Sequence, residues 1–318
     1  MRLEELEFKD LLLFADGTAF MKGSPGSGSH LMPLPSEYKA EAAQLLETLA
    51  QQSQTVMRLS YDNLCFRVAR IDDADGRRVW FLRRLASSIP KFSRLDINPT
   101  VTGWLLRQRQ GLVLFAGAQG SGKTTTASAY VAEKLEINGG HAVTYEIPVE
   151  LPLGGPHGEY GQCFQQEIFR ESDLAQQIEL AHRYASPDII FIGEIRTKYA
   201  ALEALRIALG SNRQLVVATI HGLDVPTALE RLIGWARELD GDNASQNLAD
   251  ALLAILYLTL ESTDSGTSVT APQYLLIPFK EESKGLRAII REGKFNNLAD
   301  DMRSLKNRIT NKKERWDE

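Results

Sequence analysis

The hydrophobic positions of this chain change rhythm near residue 100. Upstream, the apolar runs at 11–14 and 18–21 flank Asp16-Gly17, a tight-turn pair, and predict a hairpin. Residues 22–36 are rich in Gly, Ser and Pro and read as a loop. Residues 37–52 set Ala42, Leu45, Leu46 and Leu49 at helical spacing, and runs at 64–71 and 79–85, joined by the turn sequence DDADGR, predict two further strands. The first 95 residues therefore predict a small α+β domain, with 89–99 as the linker into a second domain over 100–318.

Downstream, apolar runs at 112–116, 142–145, 188–192 and 215–220 alternate with helical stretches such as 124–135 and 224–237, the latter with Asp224 placed to cap it. That alternation predicts an α/β domain built on a mostly parallel sheet. Residues 246–260 read as an apolar core helix, 262–273 as a loop, 274–277 as a strand, and 306–318 as a solvated helix end.

Ligands of parallel sheets sit beyond the carboxyl ends of the strands, so the residues after each run are the informative ones. After the first comes GAQGSGKTTT, in which Gly117, Gly122, Lys123 and Thr124 match the spacing of a phosphate-binding loop. Residues lacking Cβ let backbone N–H groups wrap a polyphosphate, so Gly117, Ala118, Gln119, Gly120, Ser121, Gly122, Lys123, Thr124 and Thr125 are the candidate nucleotide contacts. Lys123 reaches the β and γ phosphates in such loops, and the Thr124 hydroxyl holds Mg²⁺. The nucleotide this implies is ATP with Mg²⁺. A strand before the loop and a helix after it are the context that supports the motif.

The second run ends in EIPVE, with Glu146 and Glu150; the third in GEIR, with Glu194 and Arg196; the fourth in His221-Gly222. Glu150 reads equally well as a solvated turn residue or as part of a site. Glu194, delivered by PDIIFIGE, fits a carboxylate that orients the Mg²⁺ shell. A histidine such as His221 taken alone is more often structural than reacting, and the fixed order of all four segments is what favours a site. On the first domain, Arg67, Arg70, Arg83 and Arg84 read first as a solvated sheet face, and alternatively as groups that reach a neighbouring subunit's nucleotide.

Charge and composition narrow the classes. With 43% hydrophobic residues the 318-residue chain has the balance of a soluble globular protein. Its 36 basic and 41 acidic residues leave a net charge of −5, so no global field draws it to nucleic acid or an anionic membrane. Two cysteines, Cys65 and Cys163, suit a reducing cytosol and exclude a four-cysteine zinc site within one chain. The longest apolar stretch, 248–260, carries Asp250 and is too short to cross a bilayer, and the acidic N-terminus does not match a secretory signal.

With these segments assembled, the sequence resembles the secretion ATPase superfamily of type II and type IV secretion and type IV pili, the PilT/GspE kind. GAQGSGKTTT is similar to its Walker A loop, YEIPVE to its Asp box, PDIIFIGEIR to its atypical Walker B, and VVATIHG to its His box; residues 286–298, LRAIIREGKFNNL, resemble the C-terminal helical segment best known from the PilT branch. The resemblance implies a RecA-like P-loop NTPase core preceded by a PAS-like N-terminal domain. It further implies Lys123 on the phosphates, Thr124 and Glu194 at the Mg²⁺, Glu150 polarising the attacking water, Glu146 shaping the site, and His221 coupling the γ-phosphate to movement. Arg170 and Arg183 fall in the interval that supplies arginines in that family. A homo-oligomer in the form of a hexameric ring is implied, cytoplasmic and peripheral at the inner face of the bacterial inner membrane, with inner-membrane components of a pilus or secretion (including conjugation) apparatus as partners and no direct contact with nucleic acid.

Two positions depart from the family pattern: Ile147 and Thr197 stand where Asp is usual. The absence of the zinc-binding cysteines points to the retraction branch or to the ATPases of conjugative type IV secretion. The expectation is an ATP-hydrolysing ring motor. Two alternatives stay open from the residues alone: a kinase or nucleic-acid translocase using the same loop, and a nucleotide-gated assembly factor without turnover.

Overall fold

A computed structural model describes residues 1–168, 170–210, 214–263, 266–279 and 283–310. The chain divides into two compact units: Met1–Ser88 with Glu150–Pro152, and Ile89–Val149 with the described residues from Leu153 onward.

In the first unit, β1 (Asp10–Phe14) and β2 (Ala19–Lys22) form the expected hairpin, turned at Gly17 with φ +86°. Helix α1 (Lys39–Ala50) follows, then β4 (Val56–Tyr61), β5 (Leu64–Asp72) and β6 (Arg78–Arg84). A short β3 (Leu31–Pro33) lies inside the segment read as loop, and β4 was not foreseen either. Both are edge strands, in the order β3-β2-β1-β6-β5-β4. Strand β3 is exposed on both faces, and the exposed face of β4 opens on an apolar residue, Val56, which blurs its alternation. One face of this antiparallel sheet buries Leu11, Leu13, Phe66, Val68 and Leu82 with Ala42, Leu45 and Leu49 of α1, the apolar stripe read from the helical spacing.

The second unit starts with α2 (Pro99–Arg107), capped by the Asn98 side chain, which accepts from Thr100 N. Its sheet has the order β14-β13-β7-β12-β11-β8-β10-β9. The central strands are β7 (Gly111–Gly117), β8 (Gly140–Glu146), β11 (Ile189–Ile195) and β12 (Leu215–His221). These are parallel to one another, as are the β13–β7 and β10–β8 pairs, whereas β14 and β9 (Gly155–His157) pair antiparallel at the edges. Strand β7 is buried throughout because helices cover both faces. Leu112, Leu114 and Ala116 face a core with α4 (Glu171–Leu180), α5 (Lys198–Ala208), α6 (Val225–Asp240) and α7 (Asn243–Ala251); Val113 and Phe115 face one with α2 and α3 (Lys123–Asn138).

Two sequence readings need correction. The helix expected over 246–260 stops at Ala251, where β13 (Leu252–Thr263) begins. A continuous apolar run such as LLAILYL lacks the periodicity that separates buried strand from buried helix; here β7 and β14 flank it and take up its backbone groups. The loop expected over 262–273 is mostly β14 (Gly266–Leu276). Its Thr, Ser and Val residues look polar in composition, but β-branched residues favour a half-exposed strand. Strand β10 (Gly161–Glu167) was also missed. The chain continues with α8 (Lys284–Arg291) and α9 (Leu298–Thr310). The solvated helix end expected over 306–318 is described only to residue 310, where α9 ends.

Candidate functional site

Four parallel strands set the site. Strand β7 ends at Gly117, which lies level with His221, the last residue of β12. Beyond Gly117 the chain curls through Gly120 and Gly122, both at positive φ (+75° and +87°), conformations that favour glycine. A methyl group at Gly117 would stand 2.7 Å from the Leu258 carbonyl oxygen and would collide with the Ser121 hydroxyl; one at Gly122 would meet Val269 Cγ2 at 2.7 Å. The loop is thus as tight as its neighbours on β13 and β14 permit.

Gly122 then opens α3, whose first residue is Lys123 and whose N-terminus meets the loop. Lys123 is only 7% exposed, and its ammonium donates to the Ala118 carbonyl at 2.8 Å, folding the side chain back over the loop. The Ser121 hydroxyl is buried with no hydrogen-bond partner among the described residues. A buried donor left open, a cation held beside it and a helix N-terminus fit a phosphate chain. Thr124 is half-buried on the first turn of α3, where its hydroxyl suits the Mg²⁺ that accompanies such a chain.

Glu194 is presented by a break in the β11 ladder. Ile192 pairs with Ala218 and Ile195 with Ile220, so Gly193 and Glu194 oppose the single residue Thr219 in a β-bulge. Bulges re-aim side chains; this one is held by the Thr219 hydroxyl, which donates to the Gly193 carbonyl at 2.5 Å. Glu194 Oε1 meets His221 Nε2 at 2.7 Å, and Oε2 accepts from Arg196 Nε at 2.7 Å and also from a terminal nitrogen of the same guanidinium. Glu194 and His221 therefore come together at the rim that carries Gly117.

Glu146, at the end of β8, is 2% exposed and differs in kind: its Oε1 accepts from Thr144 at 2.8 Å and from Gln165 at 2.7 Å. It backs the bulge closely enough that a methyl group on Gly193 would lie 3.1 Å from its Cγ. Burial first, and then the Glu146 charge, push the Cys163 thiol up to about 12, so that cysteine stays protonated and inert.

Glu150 belongs to the first unit, where Arg67 lies 3.6 Å from its carboxylate. The other arginines singled out there are also engaged: Arg83 with Asp10 at 2.8 Å, Arg70 with the Gln52 carbonyl at 3.3 Å, and Arg84 with the Leu6 carbonyl at 2.8 Å. Arg183 pairs with Glu179 one helical turn away, and Arg170 precedes α4. Thr197 is the N-cap of α5, its hydroxyl accepting from Ala200 N at 3.3 Å, so this departure from Asp keeps a capping oxygen. Sequence reasoning missed Gln165 and Thr219. Their signal was absent because it lies in strand register: Gln165 sits on the unforeseen β10, and Thr219 looks like any strand residue.

A glycine loop between strand and helix, with a carboxylate delivered by another parallel strand of the same sheet, defines a P-loop NTPase. A family model described as type II/IV secretion system protein matches residues 40–272, and the chain belongs to that family. Protein YggR of Escherichia coli (strain K12) is 34% identical over 224 residues, covering 68% of this chain and 63% of YggR. The type IV pilus ATPase PilU of Pseudomonas aeruginosa is 31% identical over 154 residues, 48% of this chain and 38% of PilU. The matches thus span less than two thirds of these relatives' own lengths. The solved structure of the pilus retraction motor PilT with bound ADP superposes with a TM-score of 0.73 over 95% of this chain and 87% of that one, at 23% identity, a likeness of fold.

Proposed function

We propose that the chain is an ATP-hydrolysing motor of a type IV pilus or type IV secretion apparatus, working as a homo-oligomeric ring at the inner face of the bacterial inner membrane. The observation that carries this reading is the bulge at Gly193-Glu194, which aims a carboxylate at His221, level with the start of the phosphate loop. Phosphoryl transfer to water asks little covalent help of a protein; it needs positioning and neutralisation of charge.

Lys123 and the amides of residues 117–125 hold the phosphates. Thr124 and Glu194 hold Mg²⁺, which supplies charge neutralisation when bound. Glu150 orients the attacking water as a general base. His221, whose Nε2 lies 2.7 Å from Glu194, relays the occupancy of the site to β12. Thr219 and Glu146 fix the backbone that carries Glu194. The sheet-edge hairpin β13–β14 sets the width of the loop through Val269.

Phosphate release by the purified chain tests the reading. Lys123→Ala and Glu194→Gln are expected to abolish it, and Glu150→Gln to leave ATP bound but unhydrolysed, a loss of about 10²-fold or more in each case. Turnover retained in all three variants would sink the assignment. Linear release over many turnovers, with no phosphoryl acceptor added, separates a motor from both a kinase and a non-hydrolysing assembly factor.

A further inference from the structure

Oε2 of the Glu194 carboxylate is engaged before any cation reaches it, while the buried Oε1 accepts no hydrogen bond among the described residues. His221 Nε2 stands 2.7 Å from Oε1 without hydrogen-bond alignment; Arg196 places two nitrogens of its planar fork on Oε2, Nε at 2.7 Å. A guanidinium and a divalent cation compete for the same anionic oxygen, and a hard cation needs that oxygen at close range. The two partners are not equally free to leave. His221 is tied into the β12 ladder opposite Gly117. Arg196 lies beyond the last residue of β11, and its side chain is 51% exposed against 16% for Glu194. The backbone immediately after it is fixed, because Thr197 caps α5.

We propose that Arg196 is a latch on Glu194: it holds the carboxylate in place and closed to divalent cation, and loading of the site requires the guanidinium to leave Oε2 while His221 stays. This rests on the reading of Glu194 as a Mg²⁺-side carboxylate. It assigns to Arg196 a role in setting the Mg²⁺ concentration at which the site closes on nucleotide. Arginine suits the role because its fork places two donors on one oxygen, whereas a lysine offers a single flexible point charge.

The test is binding of ADP to the full chain, first in EDTA and then across a Mg²⁺ titration. Arg196→Gln is expected to lower the Mg²⁺ midpoint about three- to tenfold, the range for losing a half-exposed charge-assisted pair. It should leave affinity for metal-free ADP unchanged, which a general structural defect would not. Arg196→Lys, which keeps the charge and loses the fork, should fall between the two and carries the test if the Gln variant does not fold. An unchanged or raised midpoint overturns the latch, and so does weaker ADP binding in EDTA, which would place Arg196 on the nucleotide instead. If the unaltered chain binds no ADP and Lys123→Ala makes no difference, the nucleotide site itself is wrong and the latch falls with it, an outcome distinct from the other two.

Discussion

Glu146 and Glu194 end neighbouring parallel strands, yet their surroundings give them different work. Glu146 is buried and takes donors from Thr144 and Gln165, so it serves as a fixed wall. Glu194 leaves its ladder through a bulge and meets the half-exposed Arg196 guanidinium. Burial with a different outcome is seen at Lys134, which is 4% exposed and donates to the carbonyls of Leu106, at 3.0 Å, and of Gln108, tying α3 to the end of α2. Burial first, and then the charge of Arg109, pulls its pKa down from 10.5 to about 8. Between those values the unfolded chain binds the extra proton, so stability should rise with pH by up to roughly 1.4 kcal/mol per pH unit. The window closes near pH 10, where Tyr145, pushed up to about 12 by burial, favours the unfolded chain as its free form ionises. Urea unfolding at pH 8, 9 and 10 should show the rise in the wild-type chain and a flatter profile in Lys134→Met, whatever the offset between them. Equal slopes would mean that Lys134 does not titrate in this range.

At the scale of elements, α6 shows how a local signal read from sequence becomes a contact. Asp224 accepts from Thr227 N at 2.8 Å while the Thr227 hydroxyl accepts in return from Asp224 N at 3.1 Å, and Pro226 occupies the first turn. Losing the cap in Asp224→Ala should cost about 1 kcal/mol in urea unfolding, and Asp224→Asn should recover most of it. No change in the midpoint would show that packing alone holds the helix. Capping, turn chemistry and the glycine loop were legible because each is written within a few consecutive residues. For the same reason the strands at 112–116 and 215–220 were placed within a residue or so of β7 and β12. What escaped was set by partners distant in sequence. LLAILYL becomes strand because β7 and β14 flank it; β10 joins the sheet edge beside β8 with polar residues, Gln162, Gln165 and Gln166, where a period-two pattern was expected to show. The Glu194 bulge exists only in the register of β11 on β12, so the site's order was readable while its aim was not.

For the whole molecule, charge and assembly make separable demands. A net charge of −5 gives the chain no broad attraction for a polyanion. Phosphate release should therefore proceed without DNA and change little when DNA is added at low salt, where any electrostatic contact would be strongest. A severalfold, salt-sensitive stimulation would favour a translocase. Among the described residues no helix is long and apolar enough to cross a membrane. The proposed motor also requires more than one copy, because a γ-phosphate is a local electrostatic event and becomes mechanical output only when it biases an arrangement of larger bodies. Native mass measured with a nonhydrolysable ATP analogue and Mg²⁺ should show six copies, and Lys123→Ala should reduce the nucleotide-dependent fraction. A chain that stays monomeric at micromolar concentration, with nucleotide bound and hydrolysed, would retain the ATPase site and lose the ring.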